Sequence, residues 1–383
     1  MLPEVVNMKI GILHSAFQCY GGAEFVALVA TNALASAGFD VELFVDHKVV
    51  QKELKKMMGE TLEPSVRITA KPSFFALRGM WDIFQVANRS FVLKSRNDIL
   101  FDTYSNAVLP WTDVCYVHFP FLNDESYRAT FPYLKSHHLA DVVGLPFVLF
   151  GREIQDYKNK LVLANSNFTA NITRKFMAAD VKVLYPPVPR TFFDDLTESP
   201  ASASRENVVV TVSRFGVNKG LEKIPYIATL LGEDTKFVII GLLQSSRVYE
   251  AVKQQIKRLD VSDRVLLLPN ASRSEIKEVL KKAKIYLHTR IGEHFGISIV
   301  EAMAAGCVPI VPNSGGMGEF VPQEYRYQTI PEAAEKIRKG LADWTFTEAK
   351  VMRSIAEQFR EENFCKNLLS MFENFVEDFK RVH

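Results

Sequence analysis

Short runs of Val, Ile and Leu alternate with helix-like segments along most of the chain, and this alternation constrains the fold more than any other feature. Examples in the first half are MKIGILHS (8–15) and KLVLANS (160–166), and examples in the second half are NVVVTVSRFG (207–216) and VPIVPNS (308–314). Strands that are apolar along their whole length are typical of parallel sheets with helices on both faces. The pattern therefore predicts an α/β protein built on parallel sheets.

A polar stretch interrupts the alternation near the middle of the chain. The segment DDLTESPASASREN (194–207) is rich in Ser, Ala and Asp and indicates a linker, after which the pattern restarts. With 383 residues, the chain is long enough for two hydrophobic cores. We predict one Rossmann-like, doubly wound domain over 1–195, a second over 205–365, and a C-terminal helix over 366–383 that packs back on the first domain. Ligands bind such sheets outside the carboxyl ends of the strands, and we expect those ends to face each other across a cleft.

Composition argues against several classes of protein. A net charge of +2 gives no overall field that would attract nucleic acid. The four cysteines are far apart and form no C-x-x-C, which argues against a disulfide framework or a zinc knuckle. The N-terminal stretch is too short and polar for a signal peptide, and no apolar run is long enough to cross a bilayer. We expect a cytoplasmic protein, with peripheral contact to the cytoplasmic face of a membrane left open.

The segment TVSRFGVNKG (211–220) opens the second half with two cations around a glycine turn. Arg214 ends a predicted strand, and we expect Lys219 to lie where the next helix begins. Two cations beside a helix N-terminus form an anion site, because guanidinium and ammonium groups both bind phosphate oxygens. When this segment is considered alone, a solvated basic turn is the favoured interpretation.

The segment GEHFGISIVEAMAAG (292–306) carries two glutamates eight positions apart. Glu293 lies in a predicted loop, Gly296 allows the backbone to approach a ligand, and a helix is expected to begin near Ile297. Glu301 falls about one turn into that helix. Two surface glutamates are the simpler interpretation, but Glu301 is embedded in apolar sequence, where a carboxylate needs partners.

Three further stretches carry candidate ligand-binding residues. CYGGAE (19–24) contains Gly21 and Gly22 between the first strand and the first helix, and NSGGMGEF (313–320) follows the last buried strand. Glycines at such positions let backbone amides approach phosphate. His118 ends the strand in YVHFP, where a structural role and a functional role are equally plausible. No grouping of His, Asp, Glu or Cys has a metal-ligand spacing, so we expect no metal.

Together these motifs resemble the retaining glycosyltransferases of the GT-B fold, family 4. The resemblance rests on an E-x7-E motif at Glu293 and Glu301, on an Arg–Lys pair at Arg214 and Lys219, and on the N-terminal glycine pair, all in the family's order. It extends over nearly the whole chain. Within the family, EHFGISIVEAMAAG, YVHFP and ANSNFTA (164–170) are especially similar to the dolichol-pathway α-1,2-mannosyltransferases.

The resemblance implies a role for each motif. Arg214 and Lys219 would neutralise the diphosphate leaving group, Glu301 would hold the donor ribose, and Glu293 would hold the hexose together with two backbone amides. His118 would lie beside the reacting sugar. The implied catalytic residues are His118, Arg214, Lys219 and Glu293; the implied donor-binding residues are Gly21, Gly22, Arg214, Lys219, His294, Phe295, Gly296, Ile297 and Glu301; the implied acceptor-binding residues are Gly22, His118 and Asn165.

The resemblance also implies a reaction. A hexose, mannose from GDP-mannose, would be transferred with retention of configuration, without metal or cofactor, to a polyprenyl- or dolichyl-linked saccharide. A lipid-linked acceptor requires a surface that faces the membrane. Residues 71–96 mix aromatic side chains with Arg78, Arg89, Lys94 and Arg96, and residues 142–151 are apolar, so both are candidates. Aromatic core helices with solvated charges explain the same residues equally well.

Four other functions fit parts of the pattern. They are a UDP-sugar-dependent glycosyltransferase with another acceptor, a sugar-nucleotide epimerase of the same fold, a synthase that uses a free sugar as acceptor, and a catalytically silent saccharide-binding scaffold. The joint presence of Arg214, Lys219, Glu293 and Glu301 argues against the scaffold, since a binding module needs no cations for a leaving group.

Overall fold

The computed structural model describes residues 8–71, 89–106, 109, 111–120, 159–177, 180–193 and 205–382. The chain forms two compact units. The first combines Met1–Pro187 with Glu362–His383, and the second spans Val188–Glu361. Most of the predicted linker 194–207, all of the segment 142–151 and most of the segment 71–96 lie outside the described residues.

Parallel strands form the sheet of the first unit. They are β1 (Lys9–Leu13), β2 (Asp40–Val45), β3 (Arg67–Ala70), β4 (Ile99–Asp102), β5 (Val114–Val117), β6 (Leu161–Ala164) and β7 (Val181–Val183). Their order across the sheet is β3-β2-β1-β4-β5-β6-β7. Helices α1 (Gly22–Ser36), α2 (Gln51–Met58) and α3 (Asn167–Met177) belong to the same unit. Because β4, β5 and β6 are buried along their whole length, they have the continuous apolar sequence of central parallel strands.

The second unit repeats this architecture. Its strands are β8 (Glu206–Val212), β9 (Lys236–Gly241), β10 (Val265–Pro269), β11 (Ala283–Leu287), β12 (Val308–Pro312) and β13 (Arg326–Tyr327). Their order is β10-β9-β8-β11-β12-β13. The helices are α4 (Lys223–Thr229), α5 (Ser246–Arg258), α6 (Arg273–Lys282), α7 (Ile297–Ala304), α8 (Ile330–Asp343) and α9 (Phe346–Ala356). The predicted fold class, two α/β units with parallel sheets, is confirmed.

The chain returns to the first unit through a long C-terminal helix, α10 (Glu361–Val382). Its buried residues recur every four positions, which places them in one stripe along the helix: Phe364, Leu368, Phe372 and Val376. The ring of Phe372 packs against Phe39 at 5.6 Å and Phe101 at 6.4 Å between ring centroids. This apolar stripe attaches the helix to the core of the first sheet.

Both sheets reverse their strand order beside the first strand of each unit. In the first sheet β1 pairs with β2 on one side and β4 on the other, and in the second sheet β8 pairs with β9 and β11. In open α/β sheets, ligands bind at this switch point, outside the carboxyl ends of the strands. The topology therefore places one candidate ligand site in each unit, at its switch point.

Candidate functional site

The switch point of the second sheet lies between the carboxyl ends of β8 and β11. The turn after β8 and the loop after β11 are joined there, because the Thr289 hydroxyl donates to the Lys219 carbonyl oxygen at 2.9 Å. Lys223 Nζ donates to the Thr289 carbonyl oxygen at 3.2 Å. The prediction that a helix begins at Lys219 is wrong, since α4 begins only at Lys223. Asn218 and Gly220 have positive φ on either side of Lys219, which places Lys219 in a tight turn.

The Glu293 carboxylate lies at the centre of this switch point. Its oxygens are 3.6 Å from Lys219 Nζ, 3.5 Å from Arg290 Nη1 and 3.4 Å from His288 Nε2. Burial alone would raise the pKa of Glu293, but the charges of Lys219 and Arg290 outweigh it and hold the pKa well below its usual value. Glu293 is therefore an ionised carboxylate near neutral pH.

Positive charge exceeds negative charge around Glu293. Burial lowers the pKa of Lys219, Glu293 raises it, and the neighbouring Arg290 and Arg214 lower it further, so the cations lie close enough to repel one another. In the described part of the chain, Glu293 is the one carboxylate within 4.0 Å of Lys219 and Arg290. Together with Arg214 near Lys219, these cations leave two positive charges in excess of the Glu293 carboxylate for an anionic ligand.

The loop around Glu293 is held by its own backbone. Gly315 has φ of +92° and lies so close to the Glu293 carbonyl oxygen that a Cβ atom would overlap it. The Gly316 N–H donates to the same oxygen at 2.8 Å. The glycines of NSGGMGEF, which the sequence assigned to phosphate, thus support Glu293 in this structure. His294 donates its N–H to Glu293 Oε1 at 3.2 Å.

The residues between the two glutamates form the start of α7. Gly296, with φ of +96°, is the N-cap, and Ile297 is the first helical residue, as predicted. Phe295 is buried against Phe320 and Phe359, at 5.0 and 5.1 Å between ring centroids. The Phe295 side chain is therefore an anchor that fixes the N-terminus of α7.

Glu301 has a protein partner, Arg273, in this structure. Its Oε1 accepts a hydrogen bond from Arg273 Nη2 at 2.7 Å, and the residue is 2% exposed. Burial raises the pKa of Glu301, and Arg273 opposes that rise. The Arg273 guanidinium also lies over the Phe192 ring, 5.1 Å from its centroid. The sequence indicated that Glu301 needs a partner, but Arg273 lies 28 positions earlier, and only the sheet topology brings the two together.

The switch point of the first sheet contains two histidines joined by Thr103. His14 follows β1, and its Nδ1 is 3.0 Å from the Thr103 hydroxyl. That hydroxyl donates to the Leu13 carbonyl oxygen at 3.1 Å, so it accepts from His14 Nδ1–H. The Thr103 carbonyl oxygen lies 3.1 Å from His118 Nε2. The prediction that His118 lies at the carboxyl edge of the sheet agrees with this position, whereas His14 was not predicted.

The predicted glycine pair takes part in a helix cap. The Gly21 N–H, which the sequence assigned to a phosphate or an acceptor, donates to Glu24 Oε2 at 2.8 Å. Gly22 is the first residue of α1. Burial alone would raise the pKa of Glu24, but His14, whose Nε2 is 3.9 Å from Glu24 Oε1, lowers it below its usual value. The Glu24 carboxylate thus caps the N-terminus of α1.

Asn165 contacts the backbone of His118. Its Nδ2 donates to the His118 carbonyl oxygen at 2.8 Å, and its Oδ1 accepts from the Ser166 hydroxyl at 3.1 Å. The structure therefore brings His118 and Asn165 together, and Asn165 supports His118. Gly21 is bonded to Glu24, whose carboxylate is 3.9 Å from His14 Nε2, so it is not hydrogen-bonded to His118 or Asn165.

Two of the basic residues proposed for membrane contact are paired inside the first unit. Arg89 forms an ion pair with Asp46, and Lys94 Nζ is 2.7 Å from Asp113 Oδ2. Arg78 lies outside the described residues. Over the described ranges, no helix is both long and apolar enough to span a bilayer. Those ranges also contain no group of three or more His, Cys, Asp or Glu side chains arranged to hold a metal ion.

Part of the chain resembles a known protein family. Residues 192–361 match the family described as glycosyl transferases group 1. Relatives in Dictyostelium discoideum and Neurospora crassa, both named GDP-Man:Man(3)GlcNAc(2)-PP-Dol alpha-1,2-mannosyltransferase, are 26% identical over 300 residues and 31% identical over 219 residues. The matches cover 69% and 51% of this chain and 59% and 39% of the relatives, so the chain spans about half the length of these relatives.

A solved structure matches almost the whole chain. HepE from Anabaena, in complex with UDP and glucose, superposes with a TM-score of 0.71 and 18% identity, over 96% of this chain and 100% of that chain. At this level of identity the likeness establishes the fold. Residues 192–361 therefore resemble the glycosyl transferases group 1 family, and the chain has the GT-B fold that its sequence predicted.

Proposed function

We propose that the protein transfers a hexose from a nucleoside diphosphate sugar to an acceptor hydroxyl. The observation that carries this proposal is the pairing of Glu293 with Lys219 and Arg290, with Arg214 near Lys219, at the switch point of a glycosyl transferases group 1 domain. The two excess positive charges match the charge of a diphosphate. Fixed cations directed at a leaving group stabilise the charge that develops in the transition state.

The reaction follows from where charge appears. The bond between the anomeric carbon and the diphosphate oxygen breaks, and its electron pair passes to the diphosphate. Arg214 and Lys219 hold that negative charge. The acceptor oxygen forms the new bond to the anomeric carbon on the same face, and its proton passes to the departing phosphate oxygen, which gives retention of configuration.

The remaining residues divide the substrate among them. Glu293 is ionised, and its oxygens accept hydrogen bonds from the hexose hydroxyls. The pair of Arg273 and Glu301 receives the ribose. His118 hydrogen-bonds a hydroxyl of the reacting sugar. Asn165, which the sequence assigned to acceptor binding, positions His118 by donating a hydrogen bond to the His118 carbonyl oxygen.

We propose GDP-mannose as the donor and a polyprenyl- or dolichyl-linked saccharide as the acceptor, because the relatives in Dictyostelium and Neurospora bear names for that reaction. A panel of GDP-mannose, GDP, UDP-glucose and UDP-N-acetylglucosamine in a thermal-shift assay tests the donor. A ligand at 100 times its Kd stabilises by about 2.7 kcal/mol. Stabilisation by a UDP-sugar with none by GDP-mannose would replace our donor assignment with the alternative.

Product analysis separates the other candidate functions. GDP-mannose consumed without acceptor, with a changed sugar stereocentre, would indicate the epimerase, and binding without turnover would indicate the scaffold. Transfer to a free sugar in preference to a lipid-linked saccharide would indicate the synthase. We expect mannosyl transfer to the lipid-linked saccharide.

We propose that transfer needs no metal ion, because Arg214, Lys219 and Arg290 supply the positive charge that the diphosphate requires. The test is turnover in excess EDTA, with and without added Mg²⁺ or Mn²⁺. We expect the same rate in each case. Loss of turnover in EDTA that Mg²⁺ restores would contradict this part of the proposal.

A further inference from the structure

Asn106 lies in the loop after β4 and joins that loop to the residues after β5. Its Oδ1 accepts two hydrogen bonds, from the His118 N–H at 2.8 Å and the Phe119 N–H at 3.2 Å. Its Nδ2 donates to the Tyr104 carbonyl oxygen at 3.2 Å. Asn106 has φ of +56°, a conformation that Asn tolerates better than most residues. No motif in the sequence singles it out.

The backbone of His118 is held on both sides. Asn106 accepts its N–H, and Asn165 donates to its carbonyl oxygen at 2.8 Å. The ring is held as well, because the Thr103 carbonyl oxygen is 3.1 Å from Nε2. A carbonyl oxygen only accepts hydrogen bonds, so Nε2 must carry a proton.

The other ring nitrogen of His118 is then an acceptor. Neutral imidazole has one protonated nitrogen, and with Nε2 protonated, Nδ1 has a lone pair. Within the described ranges Nδ1 makes no hydrogen bond, and the His118 side chain is only half-buried. Partial burial of the ring lowers the pKa of His118, and the nearby His14 lowers it further, to about 4. The imidazole is therefore neutral near pH 7. Glu24 acts in the opposite direction, and the ring of Tyr116 lies 5.0 Å away between centroids.

We propose that Asn106 is a positioning residue that, with the Thr103 carbonyl, fixes His118 as a neutral imidazole whose Nδ1 accepts a hydrogen bond from a sugar hydroxyl. This inference rests on the proposed transfer reaction for the identity of the hydroxyl. It does not rest on that reaction for the tautomer, which belongs to the free protein. His118 acts by accepting a hydrogen bond, and Asn106 acts only through His118.

Two substitutions at one position separate the parts of this proposal. Asn106→Asp keeps an oxygen that accepts the His118 and Phe119 N–H groups. Asn106→Gly removes that oxygen but tolerates the positive φ, so that backbone strain does not confuse the result. Asn106→Ala would remove the acceptor oxygen and also strain the backbone at positive φ, so it is the poorer choice.

Nitrogen-15 NMR of the free protein reports the tautomer and the pKa of His118 without turnover. The wild type and Asn106→Asp should show protonated Nε2 and unprotonated Nδ1. Because Asn106→Gly releases the loop and admits water, it should show mixed tautomers and a pKa raised from about 4 towards the ordinary value of about 6.5. Protonated Nδ1 in the wild type would overturn the proposal.

Kinetics test the consequence for transfer. Asn106→Gly should lower kcat about ten- to hundredfold, because a small misplacement of a group that contacts substrate has effects of that size. The affinity for GDP should change less than about threefold, since the diphosphate binds in the second unit, and Asn106→Asp should retain kcat within about fivefold. Equal losses in both variants, or none in either, would overturn the positioning role. If no nucleotide sugar is turned over, the proposed function fails, whereas the NMR result still decides the tautomer.

Discussion

The two switch points of this protein have the same topology and opposite chemistry. At the second, Lys219 and Arg290 flank one ionised carboxylate, and Arg214 lies near Lys219. At the first, His14, Thr103 and His118 are linked by hydrogen bonds beside the carboxylate of Glu24, and His118 is neutral. A cationic site suits a diphosphate, and a neutral to acidic site suits hydroxyl groups. The comparison teaches that one fold, used twice, can present a cationic site in one unit and a neutral to acidic site in the other.

The largest effect is expected from breaking the cationic site. Lys219→Ala and Glu293→Ala should each lower kcat about 100- to 1000-fold, the range found when a group that stabilises transition-state charge is removed. Steady-state kinetics with GDP-mannose measure the effect, and circular dichroism checks that the variants fold. Lys223→Ala is a matched control on the same turn, because Lys223 contacts a backbone carbonyl and not Glu293. Full turnover in both site variants would contradict the assignment.

A smaller effect is expected at the neutral site. His118→Ala should lower kcat about 10- to 100-fold, in the range of a positioned hydrogen-bonding group, while the affinity for GDP stays nearly unchanged. His118→Asn offers an acceptor oxygen near the position of Nδ1 and should recover part of the loss. The comparison between the sites would fail if His118→Ala weakened GDP binding as strongly as it lowered kcat.

The ion pair of Arg273 and Glu301 in the second unit should contribute to the stability of the protein. Arg273→Met should destabilise the protein by about 2–4 kcal/mol, because it leaves a buried carboxylate without its cation. The pKa of Glu301, already raised by burial, should rise further in this variant. The protonated form is then favoured by the folded state, so the stability of Arg273→Met should recover relative to wild type as pH falls.

Chemical denaturation at several pH values measures this effect. The double variant Arg273→Met with Glu301→Gln serves as the control. It also removes the Glu301 charge, which Arg273→Met leaves buried without a cation. It should be more stable than Arg273→Met near neutral pH. Equal stability of the single and double variants would show that the ion pair is not the source of the loss.

The smallest expected effect is a shift in the pH below which donor binding weakens. Because Lys219 and Arg290 hold the pKa of Glu293 well below its ordinary value, wild-type donor binding should not weaken through this group until pH is well below about 4.5. Its contribution to stability is present above the ordinary pKa and is lost as pH falls through the lowered one. In Lys219→Met the pKa of Glu293 should rise, so donor binding should begin to weaken at a higher pH than in the wild type. GDP-mannose affinity measured across pH would contradict this if both proteins lost affinity at the same pH.

Much of the fold was predictable, because central parallel strands are apolar along their length. The quoted runs 8–15, 160–166, 207–216 and 308–314 coincide with β1, β6, β8 and β12, apart from the first residue of β8. The edge strands β3 and β13 were missed: Arg67–Ala70 is mostly exposed and has no apolar run, and Arg326–Tyr327 has only two residues. These two strands lack the burial or the length that makes other strands recognisable in sequence.

The site was predictable where its residues share a motif, and not where the partner lies in another segment. Glu293 and Lys219 fall in recognisable motifs that the structure brings to within 3.6 Å. Arg273, His14 and Asn106 have no local signal, because each acts on a residue from a different strand–helix unit. The helix expected at Lys219 failed for a local reason, since Asn218 and Gly220 adopt positive φ and form a turn.

The central claim is that the cations of the second unit bind the diphosphate and that the first unit does not. Isothermal titration of GDP into wild type, Lys219→Met and His118→Ala tests it most directly. We predict that Lys219→Met weakens GDP binding by tenfold or more, about 1.4 kcal/mol or greater, whereas His118→Ala changes it by less than about threefold. Unchanged GDP binding in Lys219→Met, or an equal loss in His118→Ala, would contradict the account.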